Sequence, residues 1–153
     1  MVRALRPGRV AALALLMTEL TACAPAARVA DGDTIIVGRT HYRLWGIEAP
    51  DLHQTCAEGW PAGLEARRTL QALVGERRVV CEYRGSDAYR RTVALCRSNG
   101  VDLGAAMVSA GMAWAAPRQS RDYLQVEEDA REEGRGVHAY NCLPTPEWRT
   151  QRE

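Results

Sequence analysis

Asp31-Gly32-Asp33-Thr34 sets two carboxylates one residue apart around a glycine, and within about twenty residues the chain adds Arg43 and then Glu48-Ala49-Pro50-Asp51. Carboxylates gathered on tight turns offer the hard oxygen ligands that suit calcium or magnesium. A guanidinium close by supplies a permanently charged planar fork for a phosphate. Zinc is disfavoured, because His and Cys do not cluster. A second arginine group, Asp87-Ala88-Tyr89-Arg90-Arg91, falls at the tip of an expected hairpin and would complete a phosphate clamp. Phosphodiester hydrolysis needs positive charge on the phosphoryl oxygens, an oriented water and a group to take its proton. These residue types cover all three needs. Each piece alone has a plainer explanation: Asp-Gly-Asp is a common turn, Arg43 a strand residue, and Asp51 a cap for the helix that follows. Their joint occurrence is what points to chemistry.

Residues so far apart along the chain meet only if rigid elements bring them together, and the apolar pattern supplies such elements. Residues 34–37 are β-branched, Gly38-Arg39 turns, and residues 40–47 alternate, which predicts a β-hairpin. Pro50 forces an extended exit, leaving Glu48 and Asp51 on a loop at the strand end. Residues 61–74 carry Leu70, Leu73 and Val74 at helical spacing, with Gly75 as the stop. Residues 79–83 and 92–96 read as two further strands joined through Gly85-Ser86-Asp87. Asp102 caps a second helix with Leu103, Ala106, Met107 and Ala110 on one face, and residues 112–116 run extended. Ser120 caps a third helix that turns Tyr123, Val126 and Ala130 inward and leaves the charged run from Glu127 to Glu133 in water. The segment after Gly136, with Pro144 and Pro146, reads as a tail ordered only in part. About five strands with three helices describe an α+β unit dominated by a small β-barrel of the OB type.

The order of motifs, residues 29–34, then Tyr42-Arg43-Leu44-Trp45-Gly46-Ile47-Glu48-Ala49-Pro50-Asp51, then 87–91, then 102–113, resembles the staphylococcal nuclease (thermonuclease) family. The likeness spans roughly residues 28–140. It implies an OB-fold five-stranded barrel with three helices and a calcium-dependent endonuclease that cuts DNA and RNA to 3′-phosphate ends. Carried over, Asp33 and Glu48 are the metal ligands with the Ala49 backbone carbonyl beside them, and Asp31 holds metal-bound water. Arg43 and Arg91 grip the scissile phosphate, Asp51 stands at the general-base position, and Tyr89 lies near the nucleotide. Three positions depart from the family pattern. Asp51 replaces a glutamate and is one methylene shorter, Glu48 replaces an aspartate, and Arg90 replaces the glycine before the second arginine. The shorter base keeps a second reading open, a member that binds nucleic acid or another phosphorylated polymer without cutting it. A lipid-anchored scaffold that keeps only the barrel is a third.

At 153 residues the chain has room for one modest core. Arg3, Arg6 and Arg9 precede the apolar run 11–17, the pattern of an export signal over residues 1–22 and too short to span a bilayer. Leu20-Thr21-Ala22-Cys23 resembles a lipobox and would leave a lipidated Cys23, followed by a tether over 23–27. An ordinary cut within residues 22–26 fits as well. Residues 1–22 hold three of the 20 basic residues and one of the 19 acidic ones, so the remainder is close to neutral and bulk charge does not drive nucleic-acid binding. The exported product is expected in the periplasm, at a membrane by its lipid, or secreted, as a monomer with no protein partner. Four cysteines remain, an even number suited to an oxidising compartment. Cys81 and Cys96 lie symmetrically about the hairpin midpoint and are expected to pair, leaving Cys56 with Cys142 by elimination; free buried thiols are the alternative.

Overall fold

A computed structural model describes residues 26–151, so the expected export segment and Cys23 lie outside the described residues. Strand β1 (Ala27–Asp31) begins inside the expected tether and pairs antiparallel with β2 (Thr34–Val37), which pairs in turn with β3 (Thr40–Leu44). Strand β4 (Ile47–Glu48) follows, then helix α1 (Ala62–Val74), β5 (Val79–Ser86), β6 (Thr92–Ser98) and β7 (Val101–Asp102). Helix α2 (Leu103–Ser109), strand β8 (Trp114–Ala115), helix α3 (Leu124–Glu132) and helix α4 (Thr145–Thr150) complete the order. The long strands run β1-β2-β3-β6-β5, with β7 added on β6 and β4-β8 as a separate ribbon. Only the β3–β6 pairing is parallel among these, the crossover being carried by α1 and β5.

The α+β class and the strand-rich body are as expected, but the element counts are not. Instead of five strands and three helices, the described residues hold eight strands and four α-helices. Much of the difference has a local cause. The alternating run 40–47 is not one strand: Gly46 takes φ +75°, and the chain breaks after Leu44 to pair Ile47 with Ala115 and Glu48 with Trp114. That break swings Glu48 and the following loop toward β2. The segment beyond Tyr140, expected as a loose tail, is fastened by Cys56–Cys142 and contains α4 with Thr145 fully buried.

Ile35, Leu44, Ile47, Leu70, Leu103 and Met107 are buried at the centre, between the sheet, α1 and α2. Burial of side chains of this size contributes about 2 kcal/mol each, which makes this cluster the main source of stability. Asp102 caps α2 as expected, accepting from the Ala105 N–H at 3.2 Å, and also accepts from the Tyr123 hydroxyl at 3.0 Å. One position expected in water is buried instead. Glu127 is buried on α3, where it accepts from the Ala115 N–H at 3.1 Å and pairs with Arg131 at 2.7 Å, so it closes the edge of β8. Cys81 and Cys96 face each other in the β5–β6 register and are bonded, and Cys56 is bonded to Cys142. On the chain-entropy account the first closes 15 residues for about 3 kcal/mol and the second 86 residues for about 4.5 kcal/mol.

Candidate active site

A cleft of about 330 Å³ opens at one end of the sheet, and its lining includes Asp31, Asp33, Arg43, Glu48, Ala49, Asp51, Tyr89 and Arg91. The eight catalytic, metal and nucleotide positions expected from the sequence therefore line one cleft. Their convergence starts with Gly32. A Cβ there would come within 2.7 Å of the Ala66 side chain and 2.8 Å of the Ala49 side chain, so only glycine lets the β1–β2 turn press against α1 and the exit loop. Gly63 does the same for the other side: a Cβ would fall 1.9 Å from the Asp51 carbonyl oxygen. The first turn of α1 thus seats the loop that carries Asp51.

The floor of the cleft is a buried charge network. Arg43 donates from Nη1 to Asp33 Oδ2 at 2.8 Å and from Nη2 to Glu48 Oε2 at 2.6 Å. Asp33 also accepts from the Thr34 hydroxyl at 3.0 Å and the Ala49 N–H at 3.2 Å, while Asp31 accepts from the Asp33 N–H at 3.2 Å. Burial pushes the Asp33 carboxyl up to about 6; Arg43 opposes the rise, and Asp31 adds to it. Burial alone would lower the Arg43 guanidinium, but Asp33 and Glu48 outweigh it and keep the charge fixed.

One wall is the β5–β6 turn. Asp87 accepts from the backbone N–H groups of Tyr89 and Arg91 at 2.9 Å each, and from Arg91 Nε at 2.6 Å. Burial raises the Asp87 carboxyl, and the bonds from Arg91 more than reverse this, leaving it below the usual carboxylate value. Arg91 is the arginine that lines the cleft, with its guanidinium 5.6 Å from the exposed Tyr89 ring. Arg90 does not line it. It sits instead at φ 61°, the left-handed conformation that a glycine in its place would adopt at little cost.

Asp51 and α4, through Thr145 and Arg149, also line the cleft. Asp51 accepts from Arg149 at 3.0 Å and from the His53 N–H at 3.3 Å. Burial raises its carboxyl, but those bonds hold it below the usual value. The Ala49 carbonyl accepts from the buried Thr145 hydroxyl at 2.7 Å, which uses one of its two lone pairs.

A family model for the staphylococcal nuclease homologues matches residues 41–139, well over half of the chain. The chain belongs to the staphylococcal nuclease family. It is similar to an uncharacterised endonuclease of Haemophilus influenzae, 32% identical over 92% of this chain and 84% of that protein. It is also 31% identical to the protein ParB of Escherichia coli, over 94% of this chain and 89% of that one. A succinoglycan biosynthesis protein, ExoI, of Rhizobium meliloti is 29% identical over 92% of this chain and 74% of its own length.

Nucleases of this family imply a metal, and the donor set can be tested for it. Among the described residues, no three His, Cys, Asp or Glu side chains are grouped so as to hold an ion. The chemistry of the set nonetheless fits a hard divalent cation. Asp33 is buried and pushed up to about 6 with Asp31 and Glu48 near it, so added positive charge would relieve the site. As arranged here, the Arg43 guanidinium is the cation between Asp33 and Glu48.

Three cleft residues were not anticipated. Asp87, which aims Arg91, was legible as a turn residue but not as a positioning group. Thr145 and Arg149 stand in a segment read as a tail, and only Cys142 hinted that the segment returns to the body. Trp60 stacks on Tyr140 at 4.5 Å between ring centroids and helps hold that return.

Proposed function

We propose that this staphylococcal nuclease homologue is an exported calcium-dependent endonuclease that hydrolyses DNA and RNA to 3′-phosphate ends. The single observation that carries the reading is the cleft itself, in which a buried arginine-carboxylate network, a second arginine beside an exposed tyrosine, and an ionised aspartate share one surface. The endonuclease named among its relatives supports it. Export is supported by the basic and apolar start of the chain and by two disulfides in the fold. Among the described residues no helix is long and apolar enough to cross a membrane.

The chain's own residues divide the work as follows. Arg91, on the half-exposed wall, grips the phosphoryl oxygens of the incoming strand, and Tyr89 offers a face for a base. Arg43 adds fixed positive charge beneath the phosphorus, where negative charge grows in the transition state. Asp51, ionised at neutral pH, takes the proton of the attacking water. The water oxygen bonds to phosphorus, the bond to the 5′ oxygen breaks, and that oxygen leaves with a proton as a 5′-hydroxyl. The phosphate stays on the 3′ end. Asp33 and Glu48, with Asp31 behind them, would hold calcium, which when bound withdraws charge from the phosphoryl oxygens.

The second reading, binding without cleavage, draws on Arg43, both of whose amine groups are already engaged by acids. One experiment separates the two. Purified protein is mixed with end-labelled single-stranded DNA or RNA, in calcium or in chelator, and fragment ends are tested for phosphate. Calcium-dependent fragments with 3′-phosphates are expected. Binding with no fragments in any condition would favour the second reading.

A further inference from the structure

The cleft is finished by a piece of chain far from the rest of it. Beyond Tyr140 the backbone turns back, and four contacts pin it against the loop that carries Asp51. Cys142 is bonded to Cys56, and Gln54 Nε2 donates to the Leu143 carbonyl at 2.7 Å. The Thr145 hydroxyl donates to the Ala49 carbonyl at 2.7 Å, and Arg149 Nη2 donates to Asp51 Oδ2 at 3.0 Å. Gln54 is buried and works in both directions, since its Oε1 also accepts from the Asp51 N–H at 3.2 Å. The arm and the Asp51 loop are therefore one hydrogen-bonded unit, closed covalently at one end and by an ion pair at the other.

Resting on the nuclease reading above, we infer that Arg149 is a positioning residue for the reaction, and that the Cys56–Cys142 bond serves to deliver it. An aspartate carboxylate on a loop turns about two side-chain bonds, and a base that swings out of line loses catalytic power steeply. Arg149 and the His53 N–H take one Asp51 oxygen each, Oδ2 and Oδ1, which fixes the plane of the carboxylate. The pairing holds the Asp51 carboxylate in the lining of the cleft. Arg149 also places a third guanidinium in the cleft that Arg43 and Arg91 line. The three differ in commitment. Arg43 is buried and doubly engaged, whereas the Arg149 side chain is 59% exposed and reaches the acid from outside. A residue so placed adjusts its partner without carrying the fold.

The test uses the full mature protein and initial rates on a single-stranded DNA oligonucleotide in calcium. Variants are Arg149→Ala, Arg149→Lys, the paired Cys56→Ser with Cys142→Ser, and that pair combined with Arg149→Ala. Arg149→Ala should lower kcat by about tenfold, with KM moving by less than about threefold and an unchanged melting temperature. Arg149→Lys should recover part of the loss, since an ammonium still reaches one carboxylate oxygen. The serine pair should lose about as much as Arg149→Ala, and adding Arg149→Ala to it should cost nothing further, because both changes remove one delivered group. Should the serine pair fail to fold, Thr145→Val replaces it, removing the hydroxyl that fastens the arm to Ala49. Arg149→Ala at the wild-type rate or faster, a loss confined to KM, or losses that multiply would each overturn the inference. A wild type that does not cut the oligonucleotide would overturn the nuclease reading itself, and the inference with it.

Discussion

Two ion pairs face the same cleft and behave oppositely. Arg43 and Asp33 meet with side chains 9% and 8% exposed, and Glu48 completes the network from β4. Arg149 and Asp51 meet with side chains 59% and 27% exposed, on a segment held by a disulfide and a few hydrogen bonds. The first pair is embedded in the sheet, so its geometry is set by packing and its charges have nowhere else to go. Breaking it leaves an uncompensated buried charge. The second pair is bathed in water, contributes little to stability, and matters for where it holds a carboxylate. One side of the site thus joins strength to function, and the other serves function with little part in stability.

That contrast can be broken from the strong side first. Arg43→Ala should abolish measurable cleavage, a loss of at least a hundredfold, and should also lower stability by about 3 kcal/mol, read in denaturant melts. Wild-type stability in that variant would mean the buried network is not rigid. Arg91→Ala should cost about a hundredfold in rate with little change in melting, because its partner Asp87 is on a surface turn. Cys81→Ser with Cys96→Ser should cost about 3 kcal/mol while leaving the low-temperature rate intact, since that bond spans β5 and β6 away from the cleft. Arg90→Gly should stabilise the protein by about 1 kcal/mol by removing a left-handed arginine, with Arg91 undisturbed. The smallest effect concerns His138, beside α3. Burial, with Arg131 nearby, lowers its pKa, so the folded protein prefers it neutral. Its contribution is present above the ordinary value of 6.5 and is lost as pH falls below it. A shallow acid-side loss of stability should therefore vanish in His138→Asn.

Local chemistry made much of this readable in advance. The Asp-Gly-Asp turn, the alternating strands, Gly75 after α1 and the Asp102 cap are all short-range signals, and the cysteine symmetry about the hairpin predicted a pairing that the β5–β6 register contains. The site residues were named largely through resemblance, with residue types supplying the chemistry. What escaped depends on contacts across long stretches of chain. The break at Gly46 follows from pairing with Trp114 and Ala115, the burial of Glu127 from the Ala115 N–H, and the ordering of α4 from a bond to Cys56. No window of neighbouring residues contains those partners. A proline-bearing stretch looks like a tail until something 86 residues earlier holds it.

The most direct test of a single composite site compares initial cleavage rates of one labelled single strand by wild type, Arg43→Ala and Asp51→Asn, each in calcium and in chelator. Cleavage by the wild type in calcium alone, with both variants silent or reduced at least a hundredfold, is the predicted result. Undiminished cutting in chelator, or by the Arg43→Ala protein, would contradict it.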